Sequence, residues 1–261
     1  MKRILFLGDI VGRAGREAVR ERIGTIRKET GADLVIANGE NAAGGAGITG
    51  EIARQLHEAG VDGITLGDHC WDQRGFDKAI DELPFVCRPV NLLPGCPGAP
   101  LLILTHGDFR LAVLTVLGQQ LIKIPTRPGF PMMEDLLEDL RGKADAIFVE
   151  MHAETTSEKV AMGWYLDGRV AAVIGTHTHM PTADLRRLPR GTAYLSDAGM
   201  CGPYDSVLGR EVAPVLGRFL DGMPRRFTVA EDNVQLWGVR IDIEPGKRGC
   251  VAAESFREGI D

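Results

Sequence analysis

The 261-residue sequence has only six histidines, and aromatic residues make up 6% of it. Five cysteines (Cys70, Cys87, Cys96, Cys201 and Cys250) are odd in number and show no C-x-x-C pair. That excludes a disulfide framework and a cysteine-type zinc site, and predicts reduced thiols in a cytoplasmic protein. No apolar run approaches the ~18 residues of a spanning helix, so no membrane association is expected. The apolar start, Ile4–Leu7, stops at Gly8-Asp9, short of the roughly 7–15 residues of a signal-peptide core. Basic charge is not in excess either. Thirty Lys+Arg against 36 Asp+Glu leave a net charge of −6, which argues against stable nucleic-acid binding while allowing a small anion held by metal ions.

Hydrophobic residues at 44% and charged residues at 25% are those of a globular chain, not a disordered or collagen-like one. A chain this long buries roughly 70–75% of its unfolded surface, so neither disulfide nor metal is needed merely to fold. Glycine is abundant, 33 of 261, or about 13% against a usual ~7%.

Short apolar runs, often β-branched, alternate with helical patterns. The runs at Ile4–Leu7, Leu34–Ala37, Gly63–Leu66, Leu101–Leu104, Leu111–Leu117, Ala146–Val149, Val170–Ile174 and Thr192–Leu195 predict strands covered on both faces. Val19, Ile23 and Ile26, then Ile52, Leu56 and Ala59, stand at helical spacing. So do Met133, Leu136, Leu137 and Leu140, with Pro131 suited to a first helical turn. Val239, Ile241 and Ile243 alternate with charged residues, the period of a half-exposed antiparallel strand. These elements predict one layered α/β domain over 1–261, mixed sheets flanked by helices, with room for a small cap at Arg88–Pro100.

The residues that follow the strands carry the chemistry. Gly8-Asp9 follows the first, Asn38-Gly39-Glu40-Asn41 the second and Gly67-Asp68-His69 the third. Glu150-Met151-His152 and Gly175-Thr176-His177-Thr178-His179 follow two later ones. Open α/β sheets bind ligands outside the carboxyl ends of their strands. Four of the six histidines gather there, leaving His57 and His106 elsewhere. Carboxylate, amide and imidazole donors without thiolate suit iron, manganese or zinc. Seven or eight donors exceed what one tetrahedral ion uses, so two metals sharing a carboxylate are expected.

In this order the motifs resemble the calcineurin-like metallophosphoesterase superfamily, and more closely its YmdB-like branch of bacterial cyclic-nucleotide phosphodiesterases. Gly8-Asp9-Ile10-Val11-Gly12, Asn38-Gly39-Glu40-Asn41-Ala42, Gly175-Thr176-His177-Thr178-His179 and Asp197-Ala198-Gly199-Met200 through Asp205 carry the resemblance. It implies a metallophosphoesterase sandwich and two divalent or trivalent ions, iron or manganese favoured and zinc admissible. Asp9, Glu40, Asn41 and His179 would hold one ion. Glu40, Asp68, His152 and His177 would hold the other, with Glu40 bridging and His69 as proton donor. The implied reaction is hydrolysis of a small cyclic nucleotide of the 2′,3′ type by in-line attack of a metal-bridging hydroxide. The alternatives are a phosphomonoesterase or 5′-nucleotidase on the same scaffold, or a non-catalytic metal- and nucleotide-binding regulator. A homo-oligomer is left open.

Three positions depart from the superfamily pattern. Val11 stands where D-x-H has its histidine, so Asn41 is expected to serve instead. Asp68 replaces the usual asparagine and adds negative charge. Cys70 follows His69 where an acidic residue is common, which would leave His69 without its orienting partner.

Other expectations attach to loops. Ser196–Gly209 is either a substrate loop in which Tyr204 could stack on a base or a surface turn. Trp71 and Phe76 are better read as core. Gly44–Gly47 lacks the G-K-[ST] of a P-loop and is expected to be a flexible loop over the site. Lys2-Arg3 and Arg186-Arg187 are expected to be solvated charges. Gly8, Gly12 and Gly15 miss the dinucleotide-binding spacing, and His152-Ala153-Glu154 lacks the P-C-x-x-C of zinc deaminases.

Overall fold

The computed structural model describes residues 1–260. Along the chain run β1 (Lys2–Leu7), β2 (Asp9–Ile10), α1 (Gly12–Thr30), β3 (Leu34–Asn38), α2 (Gly50–Ala59), β4 (Gly63–Thr65), α3 (Phe76–Ala79) and β5 (Val86–Cys87). Then come β6 (Leu102–His106), β7 (Phe109–Leu117), α4 (Gly129–Asp139), β8 (Ala146–His152), α5 (Thr156–Leu166), β9 (Ala172–Thr176), β10 (Arg186–Arg187), β11 (Ala193–Leu195), β12 (Met200–Pro203), α6 (Val212–Asp221), β13 (Val234–Ile243) and β14 (Cys250–Gly259).

Two mixed sheets result. One has the order β2-β12-β13-β1-β3-β4-β5, with β14 on the other edge of β13; the other has the order β10-β11-β9-β8-β7-β6. β1, β3, β4 and β5 are mutually parallel, as are β7, β8, β9 and β11, so each set aims its carboxyl ends at one edge. The period of two sorts their side chains. Ile4, Phe6, Leu34 and Ile36 point between the sheets and meet Leu111, Val113, Phe148 and Ile174. Leu5, Leu7, Val35 and Ala37 point the other way, under α1 and α2. Val149, Met151 and Val173 face the helices of the second sheet. Phe6 and Phe148 join the sheets at the centre, ring centroids 4.9 Å apart. The order of layers is helix, sheet, sheet, helix, the α/β sandwich expected.

Several expectations change in detail. The sixth strand is not covered on both faces: β6 is an antiparallel edge whose residues beyond Leu102 are partly or fully exposed. The central part of Ser196–Gly209 is strand β12, held between β2 and β13. α5, α6 and β14 lie where no periodic pattern stood out; β14 is a mostly exposed hairpin partner of β13, and α6 leaves Phe219 and Leu220 in solvent. Arg3 is not a solvated charge. Its guanidinium grips Asp242 at 2.6 and 2.9 Å and ties β1 to β13, while Lys2 Nζ lies 3.2 Å from His106. Arg186 and Arg187 are exposed. The residues Arg88–Pro100 connect β5 to β6, and Arg88 N donates to Ala99 O at 3.0 Å. All five cysteines are free thiols, and no helix among the described residues is long and apolar enough to cross a membrane.

Candidate metal centre

The apolar layer between the sheets turns polar at the carboxyl edge without breaking register. On the inward face, Leu34 and Ile36 are followed by Asn38, and Leu111 and Val113 by Thr115. Ala146 and Phe148 are likewise followed by Glu150 and His152, and Ala172 and Ile174 by Thr176. His152 is therefore the last residue of β8, not a residue of the loop beyond it.

Above this polar layer, Glu40, Asp68, His152 and His177 each bring one donor atom within 4.8 Å of the others. Asp68 Oδ1 lies 3.0 Å from His152 Nε2 and 3.3 Å from His177 Nδ1; Glu40 Oε1 lies 3.2 Å from His152 Nε2. The other predicted donors adjoin this group. Asn41 Nδ2 is 3.0 Å from Glu40 Oε1 and 3.2 Å from His179 Nε2, and Asp9 Oδ2 accepts from the His177 N–H at 3.2 Å. Val11 forms a parallel bridge with Asn41, which sets the two positions side by side.

The group fits a cation on three counts. Asp9 Oδ1 is buried without a hydrogen-bond partner, a state that ordinarily costs about 1–3 kcal/mol. Gly67 lies so close that a Cβ there would land on Glu40 Oε2 and His152 Nε2, leaving no side chain but glycine's in the cradle. The electrostatics also call for positive charge. Burial opposes a proton on His152, yet the charge of Glu40 and the close contacts to Asp68 and Glu40 raise its pKa well above the ordinary value. Burial pushes Asp68 up, and His152 and His177 overcome it and hold its carboxyl far below the usual range. Burial, with Glu40 and Asp197 nearby, raises Asp9 well above it. A divalent ion meets the same demand with His152 neutral, as ligation requires.

His177 and His179 occupy unusual backbone, with φ of 96° and 64°, at an expected cost of about 1–3 kcal/mol each. The turn is clamped from below. Asp197 Oδ2 accepts from Thr178 N at 3.0 Å, Thr178 Oγ1 at 2.7 Å and Lys159 Nζ at 2.8 Å, with both ends of the ion pair 1% exposed. Asp197 belongs to a recognised motif, but only the fold reveals this use. Thr178→Val should destabilise the protein by about 1.5–3 kcal/mol, the worth of a hydrogen bond to a charged group. An unchanged urea midpoint would refute the clamp.

His69 keeps an orienting partner after all. Three residues after His69, in a turn, Asp72 Oδ2 lies 2.7 Å from His69 Nδ1. Burial lowers the His69 pKa, but Glu40 and Asp72 outweigh it, and the net shift is upward. Glu154 stood out in the sequence only in an H-x-E pattern that fits no deaminase, yet its Oε2 lies 3.1 Å from His177 Nε2, where it fixes which ring nitrogen faces the cluster.

Tyr204 is not available to stack on a base. Its hydroxyl is 3.2 Å from both N and O of Met200 and its ring leans on Trp237. Trp71 and Phe76 pack on one another in the core. The loop at Gly44–Gly47 is tied down, not loose. Gln73 Nε2 donates to Ala46 O at 2.7 Å, and Arg210 donates to the carbonyls of Gly44 and Gly45.

The family model for YmdB-like protein matches residues 5–256. The chain belongs to this family. A 2′,3′-cyclic-nucleotide 2′-phosphodiesterase of Bacillus subtilis (strain 168) is 42% identical over 252 residues, 97% of this chain and 95% of the relative. Among solved structures, a hypothetical protein from Thermus thermophilus superposes with TM-score 0.92 at 42% identity, covering 98% of this chain and 99% of that one. A novel phosphatase from Mycoplasma pneumoniae gives TM-score 0.92 at 33% identity, covering 99% and 93%. Membership in the YmdB-like family agrees with the donor set, whose carboxylates and imidazoles suit divalent ions.

Proposed function

We propose that the protein is a metal-dependent phosphodiesterase that opens the cyclic phosphate of 2′,3′-cyclic nucleotides. The observation that carries this reading is the four-donor group at the carboxyl edge, in a chain 42% identical to a relative named for that reaction. Asp9, Asn41 and His179 would complete a second ion's shell beside Glu40, which would bridge two ions, with iron or manganese favoured by the donor types. Two cations there would supply an acidified water as nucleophile and positive charge against the phosphate oxygens.

The chain's own residues do the rest. The His177–His179 turn, clamped at Thr178, would present two imidazoles to the ions. Asp72 holds His69 by Nδ1, so Nε2 is the nitrogen left to protonate the departing sugar oxygen. Expulsion of O2′ leaves the phosphate on O3′.

The purified protein should bind about two metal ions per chain, hydrolyse a 2′,3′-cyclic nucleotide, lose that activity with a chelator and regain it with Mn²⁺. Less than one ion per chain would overturn the dinuclear site. A phosphomonoester turned over faster than the cyclic diester would move the assignment to a phosphatase.

A further inference from the structure

Glu150 is wholly buried and takes no direct part in the four-donor group. Every partner of its carboxylate is a neutral donor: Asn38 Nδ2 at 2.6 Å and Thr176 Oγ1 at 2.6 Å on Oε1, and Thr115 Oγ1 at 3.0 Å on Oε2. A carboxylate removed from water is expensive unless its oxygens are satisfied. These donors come from β3 of one sheet and from β7 and β9 of the other, which flank Glu150 on β8.

Two of the partners lead on to the cluster, and proton counting fixes how. Asn38 Oδ1 accepts the Glu40 N–H at 2.8 Å. A backbone N–H can only donate, so the amide oxygen faces Glu40 and the NH2 must face Glu150. Thr176 has one hydroxyl proton. With that proton on Glu150, its oxygen is left to accept from His152 Nδ1, 2.9 Å away. His152 then carries its hydrogen on Nδ1 and turns a bare Nε2 toward Asp68 and Glu40.

We propose that Glu150 is a positioning residue for the metal centre, setting the His152 tautomer through Thr176 and the Glu40 turn through Asn38. One buried acceptor thereby orients donors from both sheets. The inference rests on the proposed function only in taking Glu40 and His152 as ligands. Ligating histidines generally give their second nitrogen to such a partner, and its loss costs about 10–100-fold in metal affinity. Here a hydroxyl stands between, because Glu150 Oε1 is 3.8 Å from His152 Nδ1, beyond a direct hydrogen bond.

The test is Mn²⁺ binding to metal-free protein by calorimetry, with thermal midpoints of the metal-free forms recorded alongside. Thr176→Val replaces the hydroxyl by a methyl group of similar size; it should bind Mn²⁺ about 10–100-fold more weakly, with a lower midpoint as well because buried Glu150 loses a hydrogen bond. Thr176→Ser should restore affinity. Glu150→Met should fall with Thr176→Val, whereas Glu150→Gln should stay near wild type. Its amide oxygen can serve Asn38 and Thr176 while the NH2 meets the Thr115 hydroxyl. Folded Thr176→Val with wild-type affinity overturns the relay, as does Glu150→Gln binding as weakly as Glu150→Met. Should Glu150→Met not fold, the Thr176 pair decides. Wild-type protein that binds no Mn²⁺ would instead overturn the metal centre itself.

Discussion

His177→Asn should lower hydrolysis of a 2′,3′-cyclic nucleotide by about 10³-fold or more, since about 4 kcal/mol of metal-borne stabilisation is at stake. Asparagine suits the test because His177 has φ 96°, and asparagine tolerates positive φ better than alanine. The substitution therefore removes the imidazole without adding backbone strain. His177 Nδ1 lies 3.3 Å from Asp68 and 3.1 Å from His152 Nε2, at the centre of the cluster. Metal content should fall with activity, because the group loses one of its four donors. Full turnover by a variant retaining its metal would remove His177 from the site.

His69→Ala should behave differently. The loss of a general acid costs about 10²–10⁴-fold, but only where the leaving group needs a proton. Hydrolysis of a 2′,3′-cyclic nucleotide expels an alkoxide and should suffer the full loss. A p-nitrophenyl ester expels a stable anion and should be nearly unaffected. Metal content should hold, since His69 meets the cluster through its backbone N–H, 3.2 Å from Glu40 Oε2, which the variant keeps. Equal loss on both substrates would show that His69 positions the site and does not donate. Asp72→Asn should reproduce the same leaving-group pattern in weaker form, because Asp72 holds the imidazole at Nδ1.

Much of the architecture was legible because local pattern and burial coincide. β1, β3, β7 and β8 are runs buried on both faces, and α1 and α2 show their apolar stripes at helical spacing. Where a segment lacks that coincidence, the signal fails. β14 is exposed along most of its length and owes its form to pairing with β13. β12 lies in a glycine-rich stretch whose composition reads as a loop, and the sheet overrules it by offering partners on both sides. Gly44–Gly47 looked mobile because glycine is locally permissive. Gln73 and Arg210, remote in sequence, hold it.

The gathering of Glu40, Asp68, His152 and His177 at one edge followed from the sequence. A strand that ends in a histidine or carboxylate presents it at the carboxyl edge whatever the rest of the chain does, and parallel strands bring such edges together. Which side chains support those donors was decided only by tertiary structure. Asp72 for His69, Glu154 for His177, Asp197 with Lys159 beneath the 177–179 turn, and Glu150 behind Thr176 all act through hydrogen bonds a few ångströms long. Strand periodicity constrains which face a residue occupies. It does not say which residue of another strand or loop lies opposite, and a hydrogen bond depends on that distance.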